Sequence, residues 1–308
     1  MDRLSVVLLN AGQRFADGWG VYAVARWLVG EMDVVRRMAG PQDWPQVAEA
    51  ARNHPIARIL LEDPFTRWSF EKPRGYSGDA HLLDFVYGHP NVEDAISGAT
   101  PFGQSLCAAV TSFKACSAVR ERREILAAYV DEIASARPGG AELLAIAAGH
   151  LREAAFSTAL RTGGVRRWVA LDQDPLSVAA ISRDHAGTAI QPREDSVRGL
   201  LQGGGDLGEF DFVYAAGLYD YLPHPVAVRL TRRCLRLLKP GGKFLFANFS
   251  EETEGAGYME SFMRWTLLLR SEDDMWKVAR ESVGGHGMKA EVYPGENGNV
   301  LYGVIERT

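Results

Sequence analysis

The chain has 308 residues, 46% hydrophobic and 24% charged, with a formal net charge of -5. That composition is globular and long enough for one large or two modest domains, which excludes fibrous and disordered classes. The acidic balance argues against nucleic acid as a partner, and the three widely spaced cysteines, Cys107, Cys116 and Cys234, argue against a disulfide scaffold.

Residues 1–10 carry a short apolar run, Val6 to Leu9, without the basic flank or cleavage site of a signal peptide. No run reaches the ~18 apolar residues of a membrane span. A cytoplasmic protein is expected. Apolar residues at helical spacing, such as Val21, Val24, Trp27, Leu28 and Met32, predict helices over 16–38 and 46–61, punctuated by Pro41 to Pro45. Residues 62–79 have the pattern of a loop, broken by Pro64, Pro73, Gly75 and Gly78. One or two helices follow over 104–136. Pro138-Gly-Gly140 then marks a boundary between a helical N-terminal region, 1–137, and a second domain, 138–308.

From there the pattern alternates. Strands are predicted near 143–148, 167–172, 188–191, 211–215 and 242–249. Helices are predicted near 151–162, 175–185, 225–238, 258–270 and 272–283. This order implies an α/β fold, a Rossmann-like, doubly wound and mostly parallel sheet. Segments 288–293 and 300–306 pair at the end and supply an antiparallel terminal strand.

Ligands of such sheets bind beyond the carboxyl ends of the strands, where strand order reverses. The first strand ends in Ala147-Ala148-Gly149, small residues that let the backbone approach a ligand. The second ends at Asp172 and Gln173, and a carboxylate there is suited to accept both hydroxyls of a ribose. Asp195 and Ser196 follow the third strand and suit an adenine edge. The fourth ends in Ala216 and Gly217, with Tyr219, Asp220 and Tyr221 beyond. Arg152 and Glu153 suit either a local salt bridge or a cofactor amine. Each signal also has a plain structural reading. Small residues permit close helix packing, Asp172 and Asp174 can cap a helix before Pro175, and the tyrosines can be half-buried aromatics. Arg74, Tyr76 and Asp79 form a polar cluster on a glycine-broken segment, suited to a lid whose arginine pairs with a carboxylate or to a surface turn. Tyr219, Tyr76 and Arg74 are the candidates for contact with reacting groups. The seven histidines have no ligand spacing, so no metal is expected.

Residues 140–250 resemble the class I S-adenosylmethionine (SAM)-dependent methyltransferases. The glycine-containing first loop, the acid closing strand two and the turn Leu238-Lys-Pro-Gly-Gly242 carry the resemblance. It implies SAM as cofactor, held by Ala147, Gly149, Arg152, Asp172, Gln173, Asp195, Ser196, Ala216, Gly217 and Asp79. A narrower resemblance lies in Lys72-Pro-Arg-Gly-Tyr-Ser-Gly-Asp79, Gly149-His-Leu-Arg-Glu153 and Asn297-Gly-Asn-Val-Leu-Tyr302. These are similar to the 3-hydroxy fatty acid methyl ester synthases, which join a helical N-terminal region to the same fold. The chain departs from the family pattern at Ala147, Ala148 and His150, where the family's loop has further glycines and often a cysteine.

The expected function is methyl transfer to a small molecule; an acyl carboxylate is one acceptor, and the choice of acceptor stays open. A carboxylate is already ionised at neutral pH and needs no general base. No unambiguous base is visible, although Tyr219, Asp220 and His224 lie near the expected site. Two alternatives stand beside this. One is a SAM-consuming cyclase that releases methylthioadenosine and a small cyclic amino acid. The other is a SAM-binding regulatory protein without chemistry. An NAD-dependent oxidoreductase fits less well, because the full Gly-x-Gly-x-x-Gly cradle is missing. The oligomeric state stays open.

Overall fold

The computed structural model describes residues 3–203, 207–284 and 287–308. The chain divides into two units, Met1–Arg120 with Thr253–Thr266, and Glu121–Glu252 with Leu267–Thr308. The helix Lys114–Ser135 runs across this division, so residues 121–137 group with the sheet that begins after Pro138.

The first unit is helical. Its longest helix, Val21–Asn53, continues through the expected interruption at Pro41 with a kink at Gly40, whose φ of 68° lies outside helical values. Proline is tolerated just after such a break, because its missing N–H falls where the new turn has no acceptor. The expected loop over 62–79 contains a helix, Pro64–Glu71. Asp63 caps it, accepting from the Phe65 and Thr66 N–H groups at 2.9 and 3.1 Å, and Pro64 takes the first helical position. The predicted helix 258–270 is shorter, Ala256–Phe262, and ends before Arg264, which has a left-handed φ of 50°. This helix packs directly on Val21–Asn53. A methyl placed at Gly257 would meet the Met32 carbonyl oxygen at 2.4 Å. Asp33 holds the contact by accepting from the Gly255 and Gly257 N–H groups at 2.7 and 2.8 Å.

The second unit is built on β1 (Ala141–Ile146), β2 (Val165–Asp172), β3 (Ile190–Glu194), β4 (Phe210–Ala215), β5 (Leu238–Phe249), β6 (Met288–Pro294) and β7 (Val300–Arg307). The order is β3-β2-β1-β4-β5-β7-β6. β7 pairs antiparallel with both β5 and β6, and the pairs from β3 through β5 are parallel. This is the mostly parallel, Rossmann-like sheet that the sequence implies, with its reversed last strand lying inside β6 rather than at the edge.

Alternate residues explain how the sheet is covered on both faces. Leu144, Ile146, Val169, Leu171, Phe244 and Phe246 share one core with the helices His224–Leu235 and Glu272–Ser282. Trp168, next to Val169, and Phe212 and Tyr214, on either side of Val213 of the same core, are buried too, and Phe212 stacks on Tyr129 of the helix Lys114–Ser135 at 5.7 Å. Gly303 faces Phe246 across the β5–β7 ladder, where a methyl would lie 2.3 Å from the ring. The expected helix 151–162 is a 3-10 turn, Arg152–Phe156, followed by a short helix, Thr158–Arg161. The left-handed Leu151 precedes the turn, and the Ser157 cap separates it from the helix.

At the amino ends of β1, β4 and β5 lies an ion-pair network. Lys239 contacts Glu142 at 2.7 Å and Asp211 at 2.8 Å, and Arg137 contacts Asp211 at 2.7 Å. Burial alone would raise both carboxyls, but their hydrogen bonds prevail and hold them below their usual range, from Lys239 and Arg166 on Glu142 and from Lys239 and the Glu142 N–H on Asp211. Both acids therefore favour the folded state when ionised. That stability is complete above the ordinary carboxyl range and is lost as pH falls through the lowered values. In urea titrations between pH ~2 and ~5, Asp211→Asn is expected to lose stability less steeply than the wild type on acidification. At neutral pH it should be weaker by about 1–3 kcal/mol. Equal acid slopes would remove Asp211 from this linkage.

Candidate functional site

The chain runs outward from β1 to β3 and then returns to β4, so strand order reverses between β1 and β4. The crevice beyond their carboxyl ends is the binding position of doubly wound sheets. After β1 the backbone is left-handed at Ala147 (φ 52°), Gly149 (φ 58°) and Leu151 (φ 51°). Only one of the three is glycine. The methyl of Ala147 and the side chain of Leu151 make their own positions strained. Asp172, 7% exposed at the end of β2, secures this loop. Its Oδ2 accepts from the Gly149 N–H at 2.7 Å and its Oδ1 from the Asp174 N–H at 2.9 Å. Burial pushes its carboxyl above the usual range, against the lowering effect of these two bonds. Each oxygen keeps one lone pair for a ligand hydroxyl.

Ala147, Gly149 and Asp172 are thus brought together as expected. Asp195 joins them through its backbone, donating its N–H to the Asp172 carbonyl oxygen at 3.0 Å. The Ser196 hydroxyl is engaged elsewhere, accepting from the Gly199 N–H to cap the helix Val197–Leu201. Gln173 is exposed beside Asp172. Arg152 turns away, pairing with Asp184 at 2.9 Å and lying 3.1 Å from the Nδ1 of the buried His150. Glu153 is buried, and its Oε1 accepts from the Tyr214 hydroxyl at 2.6 Å. Burial raises the Glu153 carboxyl.

After β4, Ala216 is buried and Gly217 is exposed. Tyr219 does not face the crevice. It is fully buried, with its ring 4.8 Å from that of Phe246 and its hydroxyl 2.7 Å from the Thr231 hydroxyl. Burial pushes its phenol well above the usual range, which leaves it unsuited as a base. The geometry gives Tyr219 a packing role in place of the expected contact with reacting groups. The turn it occupies is held by Arg270, which donates to the carbonyls of Tyr219 and Leu222 at 2.7 and 2.5 Å and to the Asn248 side chain. Asp220 ties the same turn to the end of β5, its Oδ1 accepting from the Phe249 N–H at 2.6 Å. Burial pushes the Asp220 carboxyl up to about 6.

Arg74, Tyr76 and Asp79 belong to the helical unit. Asp79 caps the helix Ala80–Tyr87 through the His81 and Leu82 N–H groups, and accepts from the Trp68 indole at 3.0 Å. The Arg74 Nε lies 3.8 Å from Asp79. Tyr76 is half-buried on the intervening turn. The Asp79 carboxylate is therefore committed within its own unit. Among the described residues, no helix is long and apolar enough to cross a membrane.

Two buried arginines, Arg122 and Arg270, were not among the candidates. Arg122 had a readable signal, since it sits at helical spacing between the buried Val119 and Leu126.

No protein-family model and no curated protein sequence matches the chain. Solved structures do. A possible exported protein from Bordetella parapertussis is 16% identical, with 99% of this chain and 96% of that one covered and a TM-score of 0.58. That likeness is one of fold. A magnesium protoporphyrin IX methyltransferase from Synechocystis is 13% identical over 65% of this chain and 87% of that one, with a TM-score of 0.45. An amino pentose methyltransferase from Micromonospora echinaspora is 14% identical over 62% and 95%, with a TM-score of 0.43.

Ala147→Gly is expected to leave stability unchanged or raise it by up to ~1 kcal/mol, because relief of left-handed strain offsets the added chain entropy. Leu151→Gly relieves similar strain but removes a side chain only 1% exposed, at a cost of about 2–5 kcal/mol. Urea midpoints separate the two, and a clearly destabilised Ala147→Gly would show that its methyl contacts outweigh its backbone. Tyr219→Phe should lose about 0.5–1.5 kcal/mol by the same measurement. An unchanged midpoint would mean that the Thr231 bond contributes nothing net.

Proposed function

We propose that the protein is a SAM-dependent methyltransferase acting on a small molecule, with the carboxylate of a 3-hydroxy acyl chain as acceptor. The observation that carries the reading is the left-handed loop after β1, tied by the Gly149 N–H to Asp172 at the point where strand order reverses. The resemblance of the same residues to the class I methyltransferases supports it, and the narrower resemblance to 3-hydroxy fatty acid methyl ester synthases supports the acyl acceptor.

The residues present fit this cofactor. Asp172 retains lone pairs for the ribose hydroxyls, the Ala147–Gly149 backbone presents no bulky side chain, and the exposed Gly217 leaves the end of β4 open. Gln173, Asp195 and Ala216 line the same strand ends. When bound, SAM supplies a methyl carbon on a cationic sulfur. An acceptor oxygen would form the new C–O bond as the C–S bond broke, the bonding pair leaving with sulfur. No proton has to move when the acceptor is a carboxylate, which agrees with Tyr219 lying in the core. The protein's share of the chemistry is alignment at about 3–3.5 Å and exclusion of water.

The test is incubation of the full chain with SAM and a 3-hydroxy fatty acid, followed by mass spectrometry of nucleosides and lipids. S-adenosylhomocysteine together with the methyl ester is the expected result. Methylthioadenosine would assign the chemistry to the aminopropyl arm instead, and consumption of no SAM would overturn the enzymatic reading.

A further inference from the structure

The helix Lys114–Ser135 carries a buried stripe that includes Leu126, Val130 and Ile133. Arg122 falls on that stripe and is only 5% exposed. Its guanidinium lies at the carboxyl end of β4, where a methyl on Gly217 would sit 3.8 Å from its Nη2. It is close enough to influence the charges of both Glu153 and Asp220. Even so, Arg122 makes no ion pair or hydrogen bond among the described residues. The nearby acids are engaged by other donors, Glu153 by the Tyr214 hydroxyl and Asp220 by the Phe249 N–H. Arg270 shows the ordinary solution for a buried guanidinium, with its donors spent on backbone carbonyls. A guanidinium held at this position without a protein partner is available to an anion that enters beside it.

We propose that Arg122 receives the α-carboxylate of the bound cofactor's amino-acid arm. This rests on the SAM reading above. A guanidinium fork matches a carboxylate through two parallel N–H bonds. The amino-acid arm carries the carboxylate that this fork recognises, and a nucleoside without the arm offers it no such group. Ligands with and without the amino-acid arm therefore report on Arg122 directly.

The experiment is calorimetric titration of the full-length wild type, Arg122→Gln and Arg122→Lys with S-adenosylhomocysteine and with methylthioadenosine, which lacks the arm. The wild type is expected to prefer S-adenosylhomocysteine. Arg122→Gln should weaken that ligand by about tenfold or more while leaving methylthioadenosine within about twofold. Arg122→Lys should fall between them, keeping charge without the fork. The ligand-free melting temperature of Arg122→Lys should match that of the wild type, since the charge that acts on Glu153 and Asp220 is kept. A lowered melting temperature with equal loss of both ligands would make Arg122 structural and overturn the proposal. Retained preference in both variants would overturn it while leaving the SAM reading intact. A wild type that binds neither nucleoside would overturn both.

Discussion

One carboxylate, that of Asp172, joins the loops on which the crevice depends. It sits at the end of β2, yet its side chain reaches back to the Gly149 N–H after β1, and its carbonyl oxygen receives the Asp195 N–H after β3. Three consecutive strand ends are thereby tied to a single residue. The left-handed turn at 147–151 needs such support, because alanine and leucine do not hold that conformation unaided. Burial of Leu151 supplies the second restraint. Strain at the loop is balanced by the hydrogen bond at one end and packing at the other.

The β4 side of the crevice is fixed by different means. Arg270 and Asp220 satisfy backbone groups of the turn at 219–222 and of the end of β5, so the rim there consists of main chain held by buried charges. Burial lowers the Arg270 guanidinium and raises the Asp220 carboxyl, in each case disfavouring the charged form. Such groups persist because the backbone bonds they make would otherwise go unfilled. Asp220 and Arg270 are so occupied and Tyr219 lies in the core, whereas Arg122 makes no hydrogen bond or ion pair among the described residues.

The strands were legible because a sheet covered on both faces writes continuous apolar runs closed by small or acidic residues. Ala147–Gly149, Asp172 and Ala216–Gly217 all lie where those runs predict. Asp63 followed by Pro64 is a helix start, but the prolines and glycines around it outweighed that signal over 62–79. The left-handed turns at Ala147 and Leu151 carry no glycine and so leave no mark in the sequence. Tyr219 was misplaced for a nonlocal reason, since its environment is set by Thr231 and Phe246, which are remote along the chain. Arg122 lay hidden in a run of charged residues, where composition concealed a helical period that places it inward.

Residues 253–266 group with residues 1–120, although most of the sheet is made between them. On the ribosome the helical unit therefore stays incomplete while about 130 further residues are added, an interval on the order of ten seconds. Throughout it, Asp33 lacks the Gly255 and Gly257 N–H groups, Thr66 lacks the Tyr258 hydroxyl, and Ser69 lacks the Met263 carbonyl. The nascent chain thus carries a half-built helical layer with buried-type polar groups still seeking partners, which is the kind of surface that chaperones hold. A circular permutant that places 253–266 next to the first 120 residues would remove that wait and let the helical layer close in the order of its synthesis.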